Sequence, residues 1–353
     1  MKILADASLP CLSEAFPKPF ELSLYHHQDE LSKLLKGQQI LLCRANLKVN
    51  EALLNGQSLD CVATASSGTD HIDTHFLHTQ SIELIDAKGS NAIAVADYVI
   101  ASLAFLQRYK GFSGSKAAVI GVGEVGSQVA KRLAAANLEV FCYDPPRGES
   151  DPQFHSCPLE NLRHCDLITI HANLHSKPPY PSKNLLDQQF LKQLKPGVVI
   201  INASRGGIVN EEALLKLSNY LVYCTDVYHN EPAISNKIVD FATLCTPHIA
   251  GHSIEGKSKA VAMLSQKLHA RYKLSPPMIL TTLGLSTELT EQQNWQETVL
   301  SLYNPITETK LLKRADNLES TFIALRKAHQ NRHDFCVFNA RSLSKQIRQI
   351  LGC

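Results

Sequence analysis

An α/β fold built on a doubly wound parallel sheet is predicted by three observations. Short, near-continuous apolar runs alternate with helix-like stretches along most of the chain. One of those runs ends in Gly121-Val-Gly-Glu-Val-Gly126, a glycine-rich turn that opens a helix. Strands of that kind are buried on both faces, as in a parallel sheet covered by helices. The third observation is a length of 353 residues, more than one ordinary core organises, so two or three domains are expected.

Taken in order, the first ninety or so residues hold candidate strands at 2–5, 40–43, 61–65 and 82–85, spaced as in a small α/β unit. A helix follows from Asn91, its N-cap, to about Arg108. A second α/β run starts at Lys116. Residues 117–120 form its first strand, Gly121–126 opens a helix to Ala136, and 139–143 is the next strand, ending at Asp144-Pro-Pro146. Further strands are expected at 167–170, 198–201, 223–225 and 243–245. One helix over about 253–272 then carries the chain back to the first unit.

The remainder changes character. Thr290-Glu-Gln-Gln293 has the form of a capping box. Three apolar stripes at helical spacing follow: Trp295, Val299 and Leu302; Leu318, Phe322 and Leu325; Leu343, Ile347 and Leu351. With no recognisable site motif, this tail reads as a separate small domain that packs or oligomerises.

The composition, 44% hydrophobic and 19% charged, is that of a soluble globular protein. A net charge of +2 points to neither nucleic acid nor an anionic membrane as partner. Met1-Lys-Ile-Leu-Ala-Asp6 lacks the apolar core of a signal peptide, and no run approaches the roughly 18 apolar residues of a membrane helix, so a cytoplasmic protein is expected. The ten cysteines form no Cys-x-x-Cys pair and fall mostly in apolar segments, which predicts reduced, buried thiols. His71/His75, His248/His252 and His329/His333 have the spacing of two ligands on a helix face. None carries the Glu of His-Glu-x-x-His and no third ligand is apparent, so no metal site is expected.

The glycine turn gains meaning from its context. It follows an apolar strand, opens a helix, and is followed by Asp144 at the end of the next strand, 18 residues past Gly126. Glycines let the backbone approach a pyrophosphate, which rests on the helix N-terminus. Asp144 can accept bonds from ribose hydroxyls and would repel a 2′-phosphate, favouring NAD over NADP, although Arg147 lies close enough to blunt that preference.

Downstream, Gly197-Val-Val-Ile-Ile-Asn202 runs into Ala-Ser-Arg205-Gly-Gly207. An arginine just past the carboxyl end of a parallel strand sits where ligands bind, and its planar fork suits a carboxylate. Glu231 in Tyr228-His-Asn-Glu-Pro232 and His248 in Thr246-Pro-His-Ile-Ala-Gly251 follow. Oxidising a 2-hydroxy acid needs these three groups: Arg205 to anchor the carboxylate, His248 to take the hydroxyl proton, and Glu231 to orient the imidazole.

Ser67-Gly-Thr-Asp-His-Ile-Asp73, Gly121-x-Gly-x-x-Gly126, Asn202-Ala-Ser-Arg-Gly206, Asn230-Glu-Pro232 and Thr246-Pro-His-Ile-Ala-Gly251 together resemble the D-2-hydroxyacid dehydrogenase family. The resemblance covers about residues 1–270. Lys2-Ile-Leu-Ala-Asp6, Lys48-Val-Asn-Glu51, Gly68-Thr-Asp-His71, residues 89–96, Asp144-Pro-Pro-Arg147 and Glu255-Gly-Lys257 are most similar to a branch acting on a phosphorylated 2-hydroxy acid.

This resemblance implies a two-domain clamp around a cleft. A Rossmann-type doubly wound sheet (96–253) that binds NAD would be inserted in a flavodoxin-like α/β substrate domain (1–95 with 254–280). A small C-terminal dimerisation domain (281–353) would make a homodimer. It also implies Arg205, Glu231 and His248 as catalytic residues, with His248 the proton donor in reduction. Gly121, Gly123, Val125, Gly126, Asp144, Ala172, Asp226 and Gly251 match positions toward NAD, and Ala172 has only its backbone to offer there. Arg44, Ala45, Ser66, Ser67, Gly68 and His252 match positions toward substrate. At three of these the pattern usually differs: Ala45 replaces a serine, Ser66 a threonine and His252 a tyrosine. Family members acting on 3-phosphoglycerate or glyoxylate/hydroxypyruvate, and a non-catalytic NAD-sensing protein on the same fold, are the other readings.

Overall fold

Among the described residues eleven strands form two all-parallel sheets, whose central strands are buried on both faces. The structure is a computed structural model that describes residues 1–217, 220–279, 285, 287–290 and 294–353. The chain divides into two units, Met1–Asn91 with Ser253–Leu283, and Ala92–His252 with Gly284–Cys353.

In the first unit, β1 (Lys2–Asp6), β2 (Glu21–Tyr25), β3 (Ile40–Cys43), β4 (Cys61–Thr64) and β5 (Glu83–Asp86) pair in the order β2-β1-β3-β4-β5. This is a doubly wound order. Ile3, Ala5, Ile40, Leu42 and Ala63 pack on one face, against Ala260, Val261, Leu264 and Leu268 of the helix Ile254–Arg271. Leu4, Leu41, Cys43 and Val62 pack on the other. That apolar stripe is why the chain returns here after leaving the second unit. The strand β2 is absent from the sequence reading. It is an edge strand paired only to β1 and largely exposed, with Leu24 at 42%, so it lacks the continuous apolar run that betrays a central strand.

In the second unit, β6 (Lys116–Ile120), β7 (Glu139–Tyr143), β8 (Leu167–Ile170), β9 (Val199–Asn202), β10 (Val222–Thr225) and β11 (Leu244–Cys245) pair in the order β11-β10-β9-β8-β6-β7. After β7 the chain crosses back over β6 to build β8 on its far side. Strand order therefore reverses between β6 and β8, the place where open α/β sheets bind ligands at their carboxyl ends. The expected strand and helix ends shift by one to three residues, as end fraying allows.

The helix Ala92–Tyr109 corrects one expectation. With a mean hydropathy of 1.2 over 18 residues it is long and apolar enough, by length and composition alone, to cross a membrane. In the structure it is a core helix, 78% buried, packed with Val119, Val129 and Leu133.

The tail, expected to stand apart, packs into the second unit. Val299, Leu343, Ile347 and Leu351 join the core around the helix Ala92–Tyr109, and Leu312 and Phe322 join the core on the other face of the sheet. A buried ion pair between Asp97 and Arg132 takes part: the second Asp97 oxygen accepts the Phe335 N–H at 2.9 Å. Removing one partner of such a pair typically costs about 3–5 kcal/mol. The capping box expected at 290–293 lies outside the described residues; Asn294 caps the helix Trp295–Leu302 through the Glu297 N–H at 2.9 Å.

Candidate active site

The glycines of the turn after β6 serve different purposes. Gly121 has φ +80°, and a Cβ there would overlap the Ala172 backbone after β8. A Cβ on Gly126 would overlap the Gly121 carbonyl. Gly123, the N-cap of the helix Glu124–Ala135, faces no atom of the described chain within 4 Å. Two glycines are therefore demanded by packing. The third leaves room beside a twelve-residue helix N-terminus, which fits a pyrophosphate.

Asp144 fixes this turn. One of its oxygens accepts the Val122 N–H at 2.7 Å and the other the Arg147 N–H at 3.2 Å, so each keeps lone pairs for hydroxyl donors. Arg147 is already occupied. Its Nη1 donates to the Val122 carbonyl at 2.7 Å, its Nε and Nη2 bond Asp151, and its guanidinium lies 4.4 Å from the centre of the Phe154 ring. The Val122 peptide is thus held at its N–H by Asp144 and at its C=O by Arg147, and Arg147 clamps the turn instead of awaiting a 2′-phosphate. The Ala172 carbonyl accepts the Ser204 hydroxyl, which ties the end of β8 to the end of β9. His171, next to it, is held neutral because burial pushes its pKa down to about 3.

Arg205 follows β9. Asn202 braces its loop, donating to the Arg205 carbonyl at 3.0 Å and accepting the Ser204 N–H at 3.2 Å, while Arg205 Nη1 donates to the Ser204 carbonyl at 2.8 Å. Gly206 abuts the Tyr228 carbonyl so closely that a Cβ would overlap it. The loop carrying Arg205 therefore touches the loop carrying Glu231, which begins after β10.

Glu231 and His248 meet directly. His248 Nδ1 lies 2.6 Å from one Glu231 oxygen, and the other oxygen accepts the Tyr228 N–H at 2.9 Å. Burial pushes the Glu231 carboxyl up, but the imidazole, its hydrogen bond and the Tyr228 amide outweigh that and hold it below its ordinary value. His248 adopts φ +56°, the left-handed region that a non-glycine residue enters only when its surroundings fix it.

Asp226 is the main fixture. It is 1% exposed and accepts Thr246 Oγ1 at 2.7 Å and the Ile249 and Ala250 N–H groups at 2.8 Å each. Burial pushes its carboxyl up, against the His248 imidazole and these bonds. The Tyr98 hydroxyl lies 2.8 Å from Thr246 Oγ1, and since that hydroxyl's one proton goes to Asp226, Tyr98 is the donor. The Asp226 carboxylate's bonds to Thr246, Ile249 and Ala250 all run to the 246–250 loop that precedes Gly251, so a supporting role accompanies the NAD contact expected of it.

The first unit holds the residues expected toward substrate. Arg44 follows β3 and donates to Ser8 Oγ at 2.6 Å, which in turn bonds Asp6. Ala45 is exposed. Ser66 accepts the Ala87 N–H at 3.2 Å through its carbonyl, Ser67 Oγ donates to Asn91 at 2.6 Å, and Gly68 is half-buried in the same loop. Lys257 was not singled out as a site residue. Burial first, and then the Arg44 charge, press its pKa below the ordinary lysine value. No motif pairs residues so far apart in sequence. His252 packs its ring 6.4 Å from that of His329, within the second unit. None of the three histidine pairs shares a helix face: His71 precedes the helix Thr74–Thr79, His248 and His252 lie between β11 and Ile254–Arg271, and His329 ends Leu318–Ala328. Five cysteines are buried, whereas Cys353 is exposed, against expectation.

Residues 101–250 match the D-isomer specific 2-hydroxyacid dehydrogenase, NAD binding domain family. The chain is 55% identical over 346 residues to an erythronate-4-phosphate dehydrogenase of Legionella pneumophila, covering 98% of this chain and 99% of that one. It is 35% identical to another of that name from Coxiella burnetii, covering 95% and 93%. Among solved structures, an NAD⁺-bound 3-phosphoglycerate dehydrogenase of Entamoeba histolytica matches with TM-score 0.64 at 21% identity, over 77% of this chain and 95% of that one. An NAD-dependent formate dehydrogenase of Staphylococcus aureus matches with TM-score 0.62 at 22% identity, over 77% and 96%. The chain belongs to the erythronate-4-phosphate dehydrogenase family, among the D-isomer specific 2-hydroxyacid dehydrogenases, and its second unit contains the NAD-binding domain.

Proposed function

We propose that the protein oxidises 4-phospho-D-erythronate at C2, giving 2-oxo-3-hydroxy-4-phosphobutanoate, with NAD as oxidant, on the route to pyridoxal 5′-phosphate. The observation that carries this reading is the 2.6 Å contact between Glu231 and His248 beside the braced Arg205 loop, in a chain 55% identical to an enzyme named for that substrate.

The roles follow from the chemistry. The Arg205 fork holds the substrate carboxylate. Glu231, accepting from Nδ1–H, fixes the His248 tautomer and leaves Nε2 with a lone pair for the C2 hydroxyl proton. Reversal makes Nε2 the donor. Bound NAD supplies the hydride acceptor. Gly121, Gly123, Val125, Gly126, Asp144, Ala172, Asp226 and Gly251 would hold it. The phosphate end falls to Arg44 and Lys257, two cations of the first unit that a dianion would attract, with Ala45, Ser66, Ser67, Gly68 and His252 at positions matched to substrate. A homodimer through the tail is supported by Leu311 and Ile323, apolar residues 48% and 51% exposed on its helices.

The test is to incubate the protein with NAD, 4-phospho-D-erythronate and a 2-oxoacid that reoxidises NADH, and to identify the product by mass spectrometry. Formation of the 2-oxo product by wild type and its loss in His248→Gln is expected. No product from wild type refutes the reading.

A further inference from the structure

The C-terminal segment reaches the loop that carries His248. Arg332 is only 7% exposed. Its Nη2 donates to the Ala250 carbonyl and, at 3.1 Å, to the Ala94 carbonyl, and its guanidinium stacks 4.8 Å from the centre of the Tyr303 ring. Ala250 lies two residues after His248, and the N–H groups of Ile249 and Ala250 are the ones that Asp226 accepts. This stretch of backbone is therefore gripped from both sides, by a carboxylate on its N–H groups and by a guanidinium on its C=O. The grip matters because His248 holds φ +56°. A side chain in that backbone region keeps its aim only if the flanking peptides cannot relax.

We infer that Arg332 is a positioning residue for His248, which makes the C-terminal segment part of the catalytic scaffold as well as of the core. Burying a guanidinium is costly unless its donors meet acceptors; here Nη2 meets two, the Ala250 carbonyl and the Ala94 carbonyl in the first turn of the helix Ala92–Tyr109. The bonds are charge-assisted, stiffer than those a neutral side chain would make. A guanidinium on the Ala250 oxygen also polarises the Ala250–Gly251 peptide, strengthening its N–H as a donor. Arg332 reaches no reacting atom; it acts through the backbone of residues 249–251.

This inference rests on the proposed role of His248, and its test separates the two. The full-length protein is prepared as wild type, Arg332→Met and Arg332→Lys, and the His248 ring is followed by NMR in ¹⁵N-histidine-labelled samples, its signal assigned by its loss in His248→Gln. The charged groups that act on this ring are its partner Glu231, Asp226 under the loop, and Arg326, which acts on Glu231. In folded Arg332→Met the looser Glu231 contact is expected to move the downfield Nδ1–H signal of His248 upfield or to lose it to exchange with water. The kcat with 4-phospho-D-erythronate should fall roughly 10- to 100-fold with KM little changed. Arg332→Lys, which keeps one charged donor and is the gentler change for folding, should lie between. An unchanged His248 Nδ1–H signal and kcat in either folded variant overturns the inference. A shifted or lost Nδ1–H signal in the variant of a protein whose wild type does not oxidise the substrate upholds Arg332 and refutes the proposed reaction instead.

Discussion

The two units carry similar parallel sheets and treat their site residues differently. In the second unit the proposed chemical groups are fixed by a mesh of short bonds: Asp226 on the 246–250 loop, Glu231 on His248, Asn202 on the Arg205 loop, and Asp144 and Arg147 on either side of the Val122 peptide. In the first unit the Arg44 guanidinium donates to Ser8 Oγ, Ala45 is exposed, and Lys257 feels the charge of Arg44. Proton and hydride transfer tolerate little misplacement, so their residues are locked before substrate arrives. Recognition of a dianion by two cations tolerates more, because charge attraction is less directional than a proton path.

Mutations should expose this contrast. His248→Gln is expected to cost on the order of 10²–10⁴ in kcat, with NAD affinity by calorimetry unchanged; near-normal turnover would remove the locked site from the mechanism. Arg205→Lys keeps the charge and loses the fork, so kcat/KM should fall by roughly 10- to 100-fold, about 1.5–3 kcal/mol. Steady-state kinetics that match wild type would show that no bidentate anchor exists. Lys257→Met, in the looser unit, should raise KM for the phosphorylated substrate several-fold at most, by about 1 kcal/mol, and leave turnover of glycolate alone. An equal loss with glycolate would mean that Lys257 does not read the phosphate. Asp144→Ala should both relax the preference for NAD over NADP and loosen the turn, since it frees the Val122 N–H. A coenzyme preference that survives the change would count against its ribose role.

The smallest effect is on stability. The Glu231 carboxyl is depressed below its ordinary 4.5 in the folded protein, so the unfolded chain binds its proton more readily. Its stabilising contribution is therefore present above about pH 4.5 and lost as the pH falls through the folded value. Glu231→Gln should remove that part of the acid sensitivity of Tm, and an identical Tm–pH curve in the variant would show that the pair adds nothing to stability.

The same contrast explains what was legible in the sequence. The glycine turn and Asp144 could be read because backbone geometry and charge demand those residue types at those spacings. Arg205, Glu231 and His248 could be read because each follows a strand end. The edge strand β2 was missed because one-sided pairing requires no continuous apolar run. The tail's place was missed because an apolar stripe shows that a helix packs, and not on what. Lys257 and Arg332 went unseen for a shared reason: each acts on residues far away in sequence, Arg44 in one case and Ala250 in the other. Arg147 was visible but misjudged, since its engagement with Asp151 and the Val122 carbonyl depends on how the turn folds.

The chemistry of this chain is the oxidation of a phosphorylated 2-hydroxy acid with NAD. Its most direct test is a steady-state comparison of 4-phospho-D-erythronate, 3-phosphoglycerate and glycolate, with NAD and a 2-oxoacid to reoxidise NADH. 4-Phospho-D-erythronate should give the highest kcat/KM, with glycolate far behind. Equal or better turnover of either competitor, or no turnover of any, would contradict it.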